Sequence, residues 1–259
     1  MSEVARAGLG EFLRSRRERL SPAALGLPDR RRRRTPGLRR EEVAELAGIG
    51  VDWYIRLEQG RTVSPSSATV EALAGALRLD DAERAHLRAL ARNPARTPFA
   101  REQVPEATRR LVEGLSEPAY VTGRRWDVLA WNRAATEVFV DFGAVPEADR
   151  NVLVFLLLGE RGRRLFGAGW AAQAEHAVAQ FRAAHDLWAG DPAFTGLAAR
   201  LRSGCPEFAT WWDRHDVGRN GPGRKTLFLP EKREFDYATF QAVEDPGLRL
   251  TIYAPTSGR

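Results

Sequence analysis

Residues 40–60 read Arg-Glu-Glu-Val-Ala-Glu-Leu-Ala-Gly-Ile-Gly-Val-Asp-Trp-Tyr-Ile-Arg-Leu-Glu-Gln-Gly. Arg40–Ala47 has helical spacing, with Val43, Ala44 and Ala47 on one face. Gly48 breaks this helix, Gly50 begins a second over Val51–Gln59, and Gly60 stops it. The small side chains of Ala44 and Ala47 allow the two short helices to cross closely, and Ile49, Tyr54 and Leu57 fill the space beneath. A helix-turn-helix requires this spacing. On helical geometry, Val51, Asp52 and Arg56 project from the outer face of the second helix.

The flanks extend the helical pattern. Leu9–Leu20 reads as a basic amphipathic helix with Leu9, Phe12, Leu13 and Leu20 as its apolar positions, ended by Pro22, Gly26 and Pro28. The run Arg30–Arg34 reads as a loop, either solvated or lying beside phosphates. Ser64-Pro65 marks a helix start before the stripe Val70, Leu73, Ala74, Leu77 and Leu79. Asp80 or Asp81 caps a last helix carrying Leu87, Leu90 and Ala91. Five short helices therefore fill residues 9–92, an all-α domain over 1–95. Asn93-Pro94 ends it, and 96–105 reads as a linker.

Charge is divided unequally along the 259 residues. The net charge is +6, of which residues 1–95 carry +5. Within residues 6–40, twelve Arg face three acids, which points to a polyanionic partner at the front of the chain. Six of the seven Trp lie after residue 120, so the aromatic payload is at the back. A single cysteine, Cys205, excludes an internal disulfide. The longest aliphatic run, Val152–Leu158, is far short of the roughly 20 residues a membrane span needs. The first residues lack the apolar core of a signal peptide. A cytoplasmic protein with no membrane association is expected.

Thr35–Ala44 (Thr-Pro-Gly-Leu-Arg-Arg-Glu-Glu-Val-Ala) and Asp52–Arg61 (Asp-Trp-Tyr-Ile-Arg-Leu-Glu-Gln-Gly-Arg) carry a resemblance. The front half resembles the Xre/Cro-type helix-turn-helix family, and within it an actinobacterial subgroup with both runs. Gly50 departs from the Ser or Thr usual there, and glycine is an acceptable cap. The resemblance implies that Val51, Asp52 and Arg56 read bases in double-stranded DNA. Arg56 suits a guanine edge and Val51 a thymine methyl. Asp52 either accepts from cytosine or orients Arg56 four residues on. Arg39, Arg40, Gln59 and Arg61 lie where backbone phosphates are expected. Trp53 either packs sideways against the Arg-rich segment or touches DNA.

The back half, 106–259, has a different pattern. Ala119–Thr122 and Trp126–Trp131 read as strands joined by Gly123-Arg124-Arg125, and Asn132 as the cap of a helix through Phe139. Asn151–Leu158, Trp170–Trp188, Pro192–Leu201 and Pro206–Arg214 read as helices. Thr226–Leu229, Phe235–Val243 and Leu248–Tyr253 alternate as strands. The order predicts an α+β domain, an antiparallel sheet with a helical insert over one face.

The residues 120–132 (Tyr-Val-Thr-Gly-Arg-Arg-Trp-Asp-Val-Leu-Ala-Trp-Asn), Pro206-Glu-Phe208, Trp212 and His215-Asp216-Val217 carry a second resemblance. The back half resembles the ligand-binding domain of MmyB-like transcription regulators. That resemblance implies a PAS-like fold with an apolar pocket, and its precedent ligand is a fatty acid. Arg124, Trp126, Trp131, Phe155, Phe181, Trp188, Phe208, Trp212 and His215 are the candidate pocket residues, each with plain core or surface packing as its alternative.

Other chemistry finds little support. His176 and His185 do not share a helical face at metal-ligand spacing. Gly218–Thr226 fails the P-loop pattern and precedes a strand. No acid-base pair, nucleophile cluster or metal set stands out, so no enzyme activity and no cofactor beyond a bound fatty acid or similar apolar molecule are expected. The sequence predicts a ligand-responsive DNA-binding transcription regulator acting as a homodimer on a palindromic operator. Its alternatives are a back half that only dimerises, or an enzyme domain fused to a DNA-binding head.

Overall fold

The computed structural model describes residues 3–26, 37–61, 64–92, 98–218, 222–229 and 231–256. The Arg30–Arg34 run, the Asn93-Pro94 end of the first domain and residues 96–97 of the expected linker lie outside the described residues. The chain forms two compact units. The first comprises Met1–Pro98 with His185–Pro192 and Arg214–Val217; the second comprises Phe99–Ala184, Ala193–Asp213 and Gly218–Arg259.

The first unit is helical, with α1 (Glu3–Arg19), α2 (Arg40–Leu46), α3 (Val51–Glu58), α4 (Ser67–Ala76) and α5 (Asp81–Arg92). Its core is the set of apolar stripes that the periodicity marks: Leu9, Phe12 and Leu13 of α1 meet Val43, Ala44, Tyr54, Leu57, Leu73, Leu87 and Leu90, all buried. Two helix starts have clear chemical causes. Ser66, rather than Ser64, caps α4 by accepting from the Thr69 N–H at 3.1 Å. Asp80 and Glu83 form a reciprocal box at α5, each carboxylate accepting from the other's backbone N–H at 2.9 and 3.0 Å.

The second unit is the expected α+β, PAS-like arrangement. Five antiparallel strands lie in the order β2-β1-β5-β4-β3: β1 (Ala119–Thr122), β2 (Val128–Trp131), β3 (Gly223–Leu229), β4 (Glu231–Gln241) and β5 (Arg249–Pro255). Between β2 and β3 come α7 (Arg133–Val138), a π-helical turn (Val154–Leu158), α8 (Glu160–Phe166), α9 (Trp170–Leu187), α10 (Pro192–Gly204) and α11 (Pro206–Trp212). One more helix, α6 (Glu106–Glu113), precedes β1. It corrects the expectation of helices over one face. Ala119 and Val121 of β1 and Leu250 and Ile252 of β5 pack with Val112 of α6, so that face of the sheet has its own small apolar core.

The strand period of two then sends the alternate residues to the opposite face. Tyr120 and Thr122 of β1, Arg249, Thr251 and Tyr253 of β5, and Tyr237 and Thr239 of β4 share it. Tyr120 is in register with Thr251 and through it with Thr239, and Tyr253 with Tyr237.

Two buried asparagines fix the ends of these strands. Asn132 Oδ1 accepts from the N–H of Ala135 and of Ala119, and its Nδ2 donates to the carbonyls of Leu115 and Glu117. Asn151 Nδ2 donates to the Arg125 carbonyl and to Asp127, while its Oδ1 accepts from Leu153 N–H. The segment between them is tighter than a strand. Trp126 has φ +68°, so β2 begins at Val128 instead of Trp126. Both Trp126 peptide groups are tied: its N–H donates to Gly123 O, and its carbonyl accepts from Val152 N–H, each at 3.0 Å.

Candidate nucleic-acid interface and ligand cavity

In the first unit, α3 leaves one face to solvent. Val51, Asp52 and Arg56 are exposed on it, and Gln59 and Arg61 are exposed just beyond its end. Arg39 is half-buried. Trp53 is half-buried and packs against the helical core, and the Arg30–Arg34 run lies outside the described residues. The opposite face of α3 is anchored by Tyr54, Leu57 and Glu58.

Glu58 is the anchor's polar member, and its side chain is fully buried. Arg17 of α1 donates to it from Nε at 2.8 Å and from Nη2 at 2.9 Å, and Arg17 Nη1 reaches the Leu38 carbonyl at 2.9 Å. Arg40 of α2 donates to the same carboxylate at 2.9 Å. One carboxylate thus ties three helices together. Burial alone would raise the Glu58 pKa, but the hydrogen bonds and charge of Arg17, then of Arg40, hold it below the ordinary value. Burial and the Glu58 charge push the Tyr54 phenol upward, so it stays neutral.

The structure therefore gives Arg40 a partner that its expected phosphate role did not include. Close approach of α1 also needs glycine. A Cβ at Gly10 would collide with the Glu58 carbonyl oxygen, and Gly60 closes α3 at φ +67° with its Cα facing Ala7.

The second unit contains a cavity whose floor is the polar sheet face. Its volume is about 110 Å³. Tyr120, Thr122, Thr239, Arg249, Thr251, Tyr237 and Tyr253 form the floor with Lys225 of β3. The helix α9 supplies Gln173, His176, Ala177 and Gln180, which fall on one face at spacings of three and four. Phe139, Phe142, Val152, Phe155, Leu156, Phe166 and Trp126 complete the wall. His176 and Thr239 are exposed and lie at the mouth, whereas Tyr120, Tyr253, Phe139 and Phe142 are buried.

A chain of polar atoms crosses the floor. Lys225 Nζ donates to the Tyr253 hydroxyl at 3.3 Å, and that hydroxyl lies 3.3 Å from the Tyr120 hydroxyl. Burial pushes the Tyr253 phenol up to about 12 and the Tyr120 phenol well above its ordinary value, so both remain neutral donors. The Thr239 and Thr251 hydroxyls share a bond of 3.1 Å. Burial, then the charge of Arg124, lowers the Arg249 pKa.

Of the expected pocket residues, Trp126 and Phe155 line this cavity and the other seven do not. Arg124 is bound to Glu102 at 2.9 Å and to Asp245 at 2.5 Å. Trp131 lies against Phe142, with Arg150 over its ring. Trp212 stacks on Phe208 and lies tilted against Phe181, and both phenylalanines are buried. Trp188 and His215 belong to the first unit. Lys225, Arg249 and the three tyrosines were missed. Their signal was present in Arg249-Leu-Thr-Ile-Tyr253, where polar and aliphatic residues alternate and mark two differently used faces.

Among the described residues, no group of three His, Cys, Asp or Glu is placed to hold a metal, and no helix is long and apolar enough to cross a membrane. The family model described as MmyB-like transcription regulator ligand binding domain matches residues 104–259. A model described as helix-turn-helix domain matches residues 8–87. No curated protein matches the chain.

Proposed function

Since the chain belongs to the family carrying the MmyB-like transcription regulator ligand binding domain, we propose how its two sites divide the work of a DNA-binding regulator. The α3 face of Val51, Asp52 and Arg56 enters the major groove and reads bases, while Gln59, Arg61 and Arg39 hold phosphates. The second unit senses a small, largely apolar molecule in its cavity. The fatty acid that the family resemblance implies is one such molecule. The observation that carries this reading is the cavity itself, walled by aromatic rings and bordered by a lysine and an arginine.

The protein acts in the cytoplasm as a homodimer on a palindromic operator. One helix-turn-helix reads only a few base pairs, and two-fold symmetry doubles the site at a spacing of about 34 Å. Ligand and operator are coupled through different affinities of the ligand for different arrangements of the DNA-reading heads.

The test selects operators from random duplex DNA, then titrates them with and without ligand extracted from the purified protein. A palindromic consensus whose affinity changes with ligand is expected, with a dimer in sedimentation. Operator affinity indifferent to a bound ligand would leave the second unit as a dimerisation module.

A further inference from the structure

The cavity floor holds two cations, Lys225 and Arg249, and among the described residues neither makes an ion pair. None of the cavity-lining side chains is a carboxylate. At Lys225, aromatic faces take the place of a partner. Lys225 Nζ lies 4.4 Å from the Tyr237 ring centroid, 5.6 Å from Tyr253 and 5.9 Å from Phe166. Ring faces attract an ammonium but leave most of its hydrogen-bonding capacity unused. Its one bond goes to the Tyr253 hydroxyl, itself able to donate onward.

Arg249 is differently placed. It sits level with Thr122 and Gln241, at the other end of the floor, and the Glu102 and Arg124 charges both act on it. Of the two cations, Lys225 is the one set among aromatic faces, where a ring acid meets its ammonium.

Size and shape limit what can carry that anion. A cavity of about 150 Å³ lined by apolar side chains takes one benzene ring. The room here is about 110 Å³ and opens at its mouth, so it encloses about one ring of a ligand. Its walls are flat: Phe139 meets Tyr253 edge-on at 5.0 Å and Tyr120 at 5.6 Å, and Tyr237 stacks on Tyr253 at 5.7 Å. Such faces suit an offset or edge-on ring. The buried hydroxyls of Tyr120, Tyr253 and Thr251 each retain bonding capacity that an alkyl chain would strip of water and leave unmet.

From this geometry we infer that the cavity takes a single-ring organic carboxylate, its carboxylate on the Lys225 ammonium and its ring among Phe139, Tyr237 and Tyr253. The inference rests on the proposed sensing role and narrows it, departing from the fatty acid that the family resemblance implies. Lys225 is then the residue that selects acids over neutral rings, and ring hydroxyls on the ligand would engage the floor.

The test measures calorimetric binding of benzoate and 4-hydroxybenzoate, their amides, and dodecanoate to the full-length protein. At least a tenfold preference for an acid over its own amide is expected. Lys225→Met should abolish that preference, and Lys225→Arg should retain it, with thermal unfolding confirming that both variants fold. Equal binding of acid and amide, dodecanoate as the tightest ligand, no binding by either ring acid, or a preference surviving Lys225→Met overturns the inference. Dodecanoate that binds and shifts operator affinity while the ring acids fail leaves the sensing role standing. Ring acids that bind with the expected preference but leave operator affinity unchanged support the inference and remove the sensing role.

Discussion

Arg17 Nε and Nη2 grip the two oxygens of Glu58 at 2.8 and 2.9 Å, joining α1 to the end of α3. Arg40 donates to Oε1 of the same carboxylate at 2.9 Å, with its own side chain 39% exposed. The pair thus sets how firmly α3 presents Val51, Asp52 and Arg56. Its value lies in orientation as much as stability, because a buried ion pair repays its desolvation only when its geometry is good.

Removing one partner exposes that dependence. Arg17→Met leaves a fully buried carboxylate with Arg40 alone and should cost about 3–5 kcal/mol. Urea unfolding of the chain, followed by a probe in the helical unit, measures it. A loss under about 1 kcal/mol, the range of surface pairs, would mean that the triad contributes little.

The same carboxylate gives the helical unit an acid limit. Glu58 is held below its ordinary value of 4.5 in the folded state, so the folded state resists its protonation. The stability it contributes is complete above about pH 4.5 and is lost as pH falls through the lower folded value. Glu58→Gln should flatten that acid limb while lowering stability at neutral pH. An unchanged slope below pH 4.5 would place the acid sensitivity in other carboxylates.

On DNA, Arg56 and Arg61 should separate cleanly. Both are exposed and neither is tied into the Glu58 triad. Arg56→Ala should cost about 1–3 kcal/mol on the selected operator and relax preference at one base position. Arg61→Ala should weaken all sequences alike and reduce the salt slope by about 1. Equal losses across sequences for both variants would remove the base-reading role from Arg56. Arg40 is a poor phosphate probe, because its removal also disturbs Glu58.

The helix-turn-helix was legible because glycines punctuate it: Gly48, Gly50 and Gly60 mark ends that composition alone rarely shows. Strand β1 was legible because Ala119–Thr122 is short and flanked by breakers. Helix α6 was not. Its sequence Glu-Ala-Thr-Arg-Arg-Leu-Val-Glu buries Val112 but leaves Leu111 74% exposed, so no apolar stripe announces it. The cavity was hardest for a physical reason. Packing a core and lining a hole both call for aromatic side chains, so Phe208 and Phe155 look alike in sequence. What separates them is their neighbours, Trp212 for Phe208 and the cavity for Phe155, and the cavity floor depends on strand register set by residues far apart in the chain.

Asn132 joins that register to the local chain. Its four hydrogen bonds cap α7, pin the start of β1 and satisfy two loop carbonyls. Asn132→Ala should cost at least about 2 kcal/mol, since the lost cap adds to buried groups left unpaired. Asn132→Asp should keep the cap but set a buried carboxylate oxygen against the Leu115 and Glu117 carbonyls, and so be no more stable than the alanine variant at neutral pH. Thermal unfolding of both variants checks the order. An alanine variant as stable as the parent would mean that water replaces the amide.

Trp126 allows backbone strain to be measured apart from side-chain loss. Its φ of +68° is left-handed, a conformation that costs an ordinary residue about 1–2 kcal/mol and glycine almost nothing. Its ring meets Phe181 edge-on at 6.1 Å and borders the cavity, so truncation removes packing in either variant. Trp126→Gly and Trp126→Ala lose nearly the same contacts. The glycine variant should therefore be the more stable by about 1 kcal/mol, the reverse of the order expected where backbone entropy alone decides. Denaturation midpoints of the two variants give the comparison directly. If alanine is the more stable, the hydrogen bonds to Gly123 and Val152 hold this turn without strain, and the conformation of Trp126 reflects local preference instead of constraint by the cavity wall.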